Sequence, residues 1–327
     1  MCTAVSWKAG CHYFGRNLDL EYSYQEAVTV TPRNYPFPFR MLPPIEHHYA
    51  MIGVATVEQG YPLYYDAINE KGLCIAGLNF PGLAHYQKPK QNLDNIASFE
   101  LIPWLLGQCS TVEQVNELLD KINITDTPFS DLFSPTPLHW IIADAQCTIT
   151  VEAMKDGLHI HNNPVGVLTN NPPFDYHLYH VRNYMQVSPA QATNHFSANL
   201  ELKPYSNGMG GMGLPGDLSS ASRFVRAAFV KLNCIAGSTE EENVSQFLHI
   251  LNAVAMPRGC VQMPEDRFEI TLYSSCCNAD RGIYYYTTYD NSRVCAVDMH
   301  LEDLNSSRLS SYPLLNKPDF FLQNHSC

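Results

Sequence analysis

The sequence has no apolar run approaching the roughly 18 residues of a membrane span, although 45% of its 327 residues are hydrophobic. A spanning helix is not expected, and the apolar side chains are available for a large core. Positive charge is scarce: Lys and Arg number 20 against 32 Asp and Glu, a formal charge of −12. General binding to a phosphate backbone rests on cationic contacts. No basic patch interleaved with aromatics is present either, so nucleic acid is not an expected partner. A small anionic substrate held by a few local arginines is compatible with this balance. The first residues lack the basic region and apolar run that export requires, and a cytoplasmic location is expected.

Pairs of CxxC motifs at zinc spacing are also missing. The chain has 11 cysteines, an odd number without an export signal, and they read as reduced thiols. Cys276 and Cys277 adjoin in a strand-like run, where successive side chains face opposite ways, and make a poor chelator. His47 and His48 have no third ligand at suitable spacing and read as surface or interface histidines. The glycine-rich stretch 205–218 lacks the Gly-Lys-Ser/Thr ending of a phosphate-binding loop. No metal, cofactor or nucleotide is expected. Neither a repeat nor a low-complexity linker divides the chain, so one domain is expected over 1–327.

What is present reads mainly as strands punctuated by tight turns. Segments 3–7 and 12–16 alternate, with 8–10 as a turn, predicting a hairpin that returns Arg16 and Asp19 towards the N-terminus. Segment 26–31 is β-rich and closes at Pro32, and the five prolines within 32–46 predict an irregular loop. Strands are expected over 51–57, 63–68 and 73–78, the last ending at the polar Asn79. Helices are expected over 99–107 and 111–122. The second has Ser110 and Glu113 as a capping box and an apolar face of Val115, Leu118, Leu119 and Ile122. Further strands at 138–143, 148–154, 158–161 and 166–168 end in Thr169-Asn170-Asn171-Pro172. Helices over 176–184, 219–232 and 244–254 precede closing strands at 268–275, 282–288 and 293–298. Short connections between consecutive strands favour antiparallel pairing. Two sheets between helical layers would bury both kinds of element, an α+β architecture.

The N-terminus carries the chemistry. If Met1 is removed, which the small second side chain permits, Cys2 holds a thiol and a free α-amine on one residue. That places a nucleophile beside a base, a known solution to amide hydrolysis. A free thiol titrates near 8.5 and an α-amine near 7.7–8.0, about close enough to exchange a proton at neutral pH.

Motifs spread along the chain extend this reading. They are Met1-Cys2-Thr3, Phe14-Gly15-Arg16-Asn17-Leu18-Asp19, Asn69-Glu70-Lys71-Gly72-Leu73, Ala76-Gly77-Leu78-Asn79-Phe80-Pro81-Gly82, Leu168-Thr169-Asn170-Asn171-Pro172, Gly213-Leu214-Pro215-Gly216-Asp217 and Ser222-Arg223-Phe224. With them the sequence closely resembles the choloylglycine hydrolase family, which includes bile salt hydrolases and penicillin V acylases. The resemblance covers nearly the whole chain. It implies a four-layer αββα N-terminal-nucleophile hydrolase fold and a homotetramer in a bacterial cytoplasm.

The resemblance also implies the catalytic set: Cys2 as nucleophile, Arg16 and Asp19 beside it, and Asn79, Asn170 and Arg223 completing the site. Asp19 would orient the α-amine, Arg16 would favour thiolate, and Asn79 and Asn170 would stabilise the oxyanion. Arg223 would order the site through Asp19. Asn79 stands where penicillin V acylases tend to have Tyr, so conjugated bile salts are the expected substrates. Leu18, Leu20, Tyr24, Phe129, Leu138 and Met212 are expected around the apolar entrance. Penicillin V or acyl-homoserine-lactone acylase activity is the alternative on the same scaffold. A non-catalytic steroid-binding protein is the remote one, and the retention of Cys2 and Arg16 speaks against it.

Overall fold

The computed structural model describes residues 1–325; Cys327 lies outside them. The chain opens with the expected hairpin, β1 (Cys2–Ala9) and β2 (Cys11–Leu20). Gly10 makes the reversal at φ +74°, a conformation open to glycine without steric cost. Pairing runs from Ala9 opposite Cys11 to Cys2 opposite Leu18. The strands β3 (Ala27–Thr31), β4 (Met51–Glu58), β5 (Tyr61–Asn69) and β6 (Cys74–Asn79) follow. Next come β7 (Asp94–Ala97), α1 (Leu101–Gln108), α2 (Val112–Leu119) and β8 (Ile122–Thr125). The middle holds β9 (Leu138–Ala143), β10 (Thr148–Met154), β11 (Gly157–Asn162), β12 (Val167–Leu168) and α3 (Phe174–His180). Helices α4 (Ser220–Asn233) and α5 (Glu240–Asn252) lead to β13 (Gln262–Met263), β14 (Arg267–Phe268) and β15 (Ile270–Asn278). The last strands are β16 (Ile283–Thr288), β17 (Cys295–Asp298) and β18 (Ser310–Pro313).

Two antiparallel sheets form the centre. One has six strands in the order β12-β1-β2-β15-β16-β17; the other has eight, β11-β10-β9-β6-β5-β4-β3-β18. Helices α4 and α5 cover the first sheet, and α1 covers β5 and β6 of the second. This is the expected α+β layering of helix, sheet, sheet, helix. The alternation of side chains explains it. In β6, Cys74, Ala76 and Leu78 enter the core shared with the first sheet, while Ile75 enters the core under α1 and α2. In β9, Ile141 and Ala143 face the first core, and Trp140 and Ile142 the second. Strands buried on both faces read as continuous apolar runs, as these do.

Some expectations fail for identifiable reasons. Helix α2 is capped by Thr111, whose hydroxyl accepts from Gln114 N, while the Gln114 side chain accepts from Ser110 N. The cap lies one residue later than predicted, and the predicted box does not form, because Gln114 reaches back to Ser110 N and not to the N-cap nitrogen. That helix stops at Leu119; Ile122 begins β8, which pairs in parallel with β7. Helix α5 starts four residues earlier than its apolar periodicity, under a Thr239–Glu242 capping box. Its first turn is three glutamates, favoured there by the helix dipole. The predicted helix at 176–184 is α3 beginning at Phe174, continued by a 3₁₀ turn at Val181–Tyr184. His47 is exposed as expected, but His48 is buried, with its ring nitrogens 2.8 Å from the carbonyls of Tyr49 and Tyr35. The ten described cysteines are all free. Among the described residues no group of three or more His, Cys, Asp or Glu could hold a metal ion, and no helix is long and apolar enough to cross a membrane.

Candidate active site

Cys2 sits at the edge between the two sheets. Cross-strand partners share a face, so Cys2, Ala4, Arg16 and Leu18 point the same way from the hairpin. The close approach of β2 to β15 behind them depends on Gly15: a Cβ there would lie 2.0 Å from the Ser275 carbonyl oxygen. Arg16, next along, is fully buried. Its Nη1 donates to the carbonyls of Tyr65 at 2.9 Å and Gly77 at 2.6 Å, bridging the neighbouring strands β5 and β6. Nε and Nη2 are buried without a hydrogen-bond partner. Burial acts to lower the Arg16 pKa, but nearby Cys2, Tyr273 and Asp66 outweigh it and raise the net value.

With Met1 present, the Cys2 nitrogen is a peptide N–H that donates to Asn170 Oδ1 at 2.7 Å. The Met1 amine donates to the Asp19 carbonyl at 2.7 Å and pairs with Glu269. Asp19 is fully buried. Its Oδ1 accepts from the Thr271 hydroxyl at 2.6 Å, while Oδ2 has no hydrogen bond and lies 4.0 Å from Arg223 Nη1. Burial raises the Asp19 pKa; Arg223, the chain's terminal amine and the Thr271 donor oppose it.

Arg223 gathers these groups. The N-cap Ser219 starts α4 four residues earlier, which places Arg223 in the first turns facing β1. Its Nε donates to Leu218 O at 3.0 Å, and Nη2 to Asn170 Oδ1 at 2.8 Å. Nη1 donates to the Cys2 carbonyl and to Thr3 Oγ1, the latter at 2.7 Å. Asn170 follows β12 and is fixed by the Ser220 hydroxyl, which accepts its backbone N–H at 2.8 Å, and by His177, whose Nε2 lies 2.8 Å from its carbonyl. Asn170 Nδ2 donates to the Asn79 carbonyl at 2.7 Å. The Asn79 side chain lines the cavity and takes no hydrogen bond from another described residue.

That cavity holds about 660 Å³ and opens onto Cys2, Arg16 and Asn79. Its volume falls in the ~300–1,000 Å³ range of small-molecule sites. Leu18, Leu20, Tyr24, Phe129 and Leu138 line it, together with Tyr22, Leu63, Tyr65, Ile102 and Phe133. Met212 does not: it lies 60% exposed after a 3₁₀ turn in the glycine-rich stretch, away from the cavity wall. One wall is the segment 129–136, held by Arg40. Arg40 Nη2 donates to the Phe129 carbonyl at 2.7 Å, and its guanidinium lies 5.1 Å from the Phe129 ring centre.

The structure thus brings Cys2, Arg16, Asp19, Asn79, Asn170 and Arg223 together, and five of the six expected entrance residues. Sequence reading passed over Thr3, Glu269 and Thr271, which touch the set, and Tyr22, Leu63 and Phe133 on the wall. Thr271 faces Asp19 only through the β2–β15 pairing, which no local motif announces.

The chain is similar over nearly its whole length to known hydrolases. The family model described as linear amide C–N hydrolases, choloylglycine hydrolase family, matches residues 2–312. A protein named bile salt hydrolase/transferase from Lactiplantibacillus plantarum is 52% identical over 324 residues, covering 99% of this chain and all of that protein. The crystal structure of a C2A mutant of conjugated bile acid hydrolase from Clostridium perfringens superposes with a TM-score of 0.91 at 35% identity, covering 99% of this chain and all of that one. A penicillin V acylase from Agrobacterium tumefaciens shares the fold at 20% identity, with a TM-score of 0.75 over 95% of this chain and 90% of that one. The chain belongs to the choloylglycine hydrolase family and is an amide C–N hydrolase.

Proposed function

We propose that this enzyme hydrolyses the amide bond of glycine- or taurine-conjugated bile salts, with Cys2 as nucleophile once Met1 is removed. The carrying observation is the largely apolar cavity of about 660 Å³ opening onto Cys2. An apolar wall suits a steroid; the Lactiplantibacillus relative is named a bile salt hydrolase/transferase, and the Clostridium structure is that of a conjugated bile acid hydrolase. In the mature chain the α-amine of Cys2 would face Asn170 Oδ1, which already accepts from that nitrogen, and the unpartnered Asp19 Oδ2. Both are acceptors suited to orienting an amine.

The amine takes the thiol proton, directly or through water, and Sγ attacks the substrate carbonyl. The side-chain N–H groups of Asn79, with the remaining Nδ2 hydrogen of Asn170, supply donors for the oxyanion, each worth about 3 kcal/mol in such sites. The α-ammonium then protonates the departing glycine or taurine nitrogen. Water, losing its proton to the α-amine, hydrolyses the thioester and releases the bile acid and Cys2 thiol. An amine reaching the thioester before water would accept the acyl group instead, which would be a transferase reaction; the Lactiplantibacillus relative is named a hydrolase/transferase.

Three wider readings accompany this one. A homotetramer is supported by Phe196, Leu200, Leu202 and Tyr205, large apolar side chains exposed on the segment before α4. A cytoplasmic site is supported by the free cysteines. A single domain over 1–327 is supported by the first sheet, which joins β1 and β2 to β15–β17 from the far end of the chain.

The test is to incubate purified enzyme with glycocholate, taurocholate and penicillin V while measuring intact mass, beside Cys2→Ala. Release of glycine or taurine by the species lacking Met1, and none by the mutant, is expected. Preferential cleavage of penicillin V would overturn the substrate assignment. Turnover surviving in Cys2→Ala would overturn the nucleophile.

A further inference from the structure

Behind Arg16 lies a buried carboxylate that the reaction as described does not use. Asp66, on β5, is fully buried between the two sheets. Its Oδ1 accepts from the Tyr273 hydroxyl of β15 at 2.7 Å, and its Oδ2 from the Tyr284 hydroxyl of β16 at 2.6 Å. Arg16 and Asp66 cross the gap between the sheets in opposite directions. Arg16 leaves β2 to reach the carbonyls of β5 and β6, and one of those carbonyls belongs to Tyr65, the neighbour of Asp66. No direct salt bridge joins them. Arg16 keeps Nε and Nη2 unpartnered, three N–H bonds in all, on a side chain that shares its cavity with Cys2.

The chemistry of this arrangement is specific. Buried charges occur paired or not at all, because an isolated ion in a low-dielectric interior is strongly disfavoured. Arg16 stays protonated, so a compensating negative charge is required nearby. Cys2 thiolate can provide one, and Asp66 another. Two phenol donors fixed on the two carboxylate oxygens favour its ionised form, since ionised carboxylate accepts hydrogen bonds at both. Burial works against ionisation and raises the Asp66 pKa, with Arg16 and the two phenols opposing. Asp66 and Cys2 therefore compete for the same cation.

We propose that Asp66, held by Tyr273 and Tyr284, is a positioning residue for Cys2 that acts through Arg16: it balances part of the Arg16 charge and so sets the fraction of Cys2 present as thiolate. The proposal rests on the reading of Cys2 as the nucleophile. An Arg16 without Asp66 would hold the thiolate more strongly, raising its population at low pH and lowering its reactivity as a nucleophile, because nucleophilicity falls with basicity. Other charged groups around Cys2 are its own α-amine, Asp19 of β2, Arg223 of α4 and Glu269 just before β15; Tyr22, Tyr24, Tyr64 and Tyr65 line the same cavity, and the Cys74 and Cys277 thiols are buried near Asp66. None of these residues is substituted in Asp66→Asn.

The experiment follows alkylation of Cys2 by iodoacetamide across pH 4–9 in the mature enzyme. The modified N-terminal peptide is quantified by mass spectrometry, so the other thiols do not interfere. Wild type, Asp66→Asn, Tyr284→Phe and Tyr273→Phe are compared, with circular dichroism to verify folding. The expected result for Asp66→Asn is a midpoint moved to lower pH, with alkylation below the wild-type midpoint faster by on the order of tenfold. The tyrosine variants, each missing one hydroxyl, should move the midpoint the same way by less, and they keep the test alive if Asp66→Asn does not fold. In the amidase assay kcat should change with KM nearly constant. Folded variants whose midpoints match wild type would overturn the role of Asp66, while Cys2→Ala inactivity leaves the nucleophile assignment standing. Turnover in Cys2→Ala would instead remove the reading on which the proposal rests.

Discussion

Replacing Thr271 by valine isolates the support under Asp19. The Thr271 hydroxyl donates to Asp19 Oδ1 at 2.6 Å and accepts the Met256 N–H at 2.8 Å, and both residues are buried. Valine keeps the shape and deletes both bonds. The bond to a carboxylate contributes about 1.5–3 kcal/mol, and the stranded N–H costs about 1–3 kcal/mol. A loss of roughly 2.5–6 kcal/mol follows, or about 4–9 °C in Tm.

The pH dependence sharpens the case. Burial already holds the Asp19 carboxyl above its ordinary value, with Arg223, the terminal amine and Thr271 opposing. Without Thr271 it rises further. A carboxyl whose folded pKa is raised binds more protons in the native state, so its contribution to stability falls as pH climbs from the ordinary value through the folded one. The Thr271→Val deficit should therefore grow between acid and neutral pH. The acid limb of kcat should move to higher pH, because Asp19 must ionise to face the α-ammonium. Urea unfolding at pH 4 to 8, with a pH–rate profile, measures both. A deficit under 0.5 kcal/mol by the threshold of ordinary surface substitutions, roughly that limit, or one independent of pH, would refute the reasoning.

Arg223→Lys keeps a cation near Asp19 but cannot hold Leu218, Cys2, Thr3 and Asn170 at once. A fall in kcat of about 100-fold, typical of a displaced reacting group, is expected in steady-state assays. Arg40→Ala frees the segment 129–136 from its hydrogen bond and ring contact, together worth about 1–2 kcal/mol; KM for conjugated bile salts should rise about 5–30-fold with kcat little changed. Burial lowers His12 and His177 to about 4. The unfolded chain binds their protons below about 6.5, so stability should fall as pH drops from there towards 4. His161, raised by its bond to Glu152, adds stability as pH falls to about 6.5 and a constant amount below it, so it leaves the slope between there and pH 4 to the other two. Denaturation at pH 7, 5.5 and 4.5 measures the net slope, which His177→Asn should flatten by about one proton.

How far the molecule was legible depended on whether its information was local. The β1–β2 hairpin was, because alternation and Gly10 specify both strands and the turn. Asn79 and Asn170 were, as polar residues ending apolar strands. Thr271 and Asp66 were not, since their partners stand 252 and 207–218 positions away and only the sheet pairing and packing join them. Strands β7 and β8 escaped notice because four-residue parallel segments leave little pattern. Met212 misled because a methionine in a glycine-rich segment reads as a pocket residue until its exposure is known.

The reciprocal crossing of Arg16 and Asp66 bears on how the molecule comes apart. Separating or sliding the sheets must strip both charged groups of their partners in one event. Amide hydrogens of β2, β5 and β15 should exchange with solvent only when the whole molecule opens, whereas the segment 129–136, outside the sheets, can exchange earlier. Early opening would then loosen the cavity wall at 129–136 while leaving the sheets that carry Cys2 and Arg16 closed. The nucleophile stays assembled until the last cooperative unit gives way.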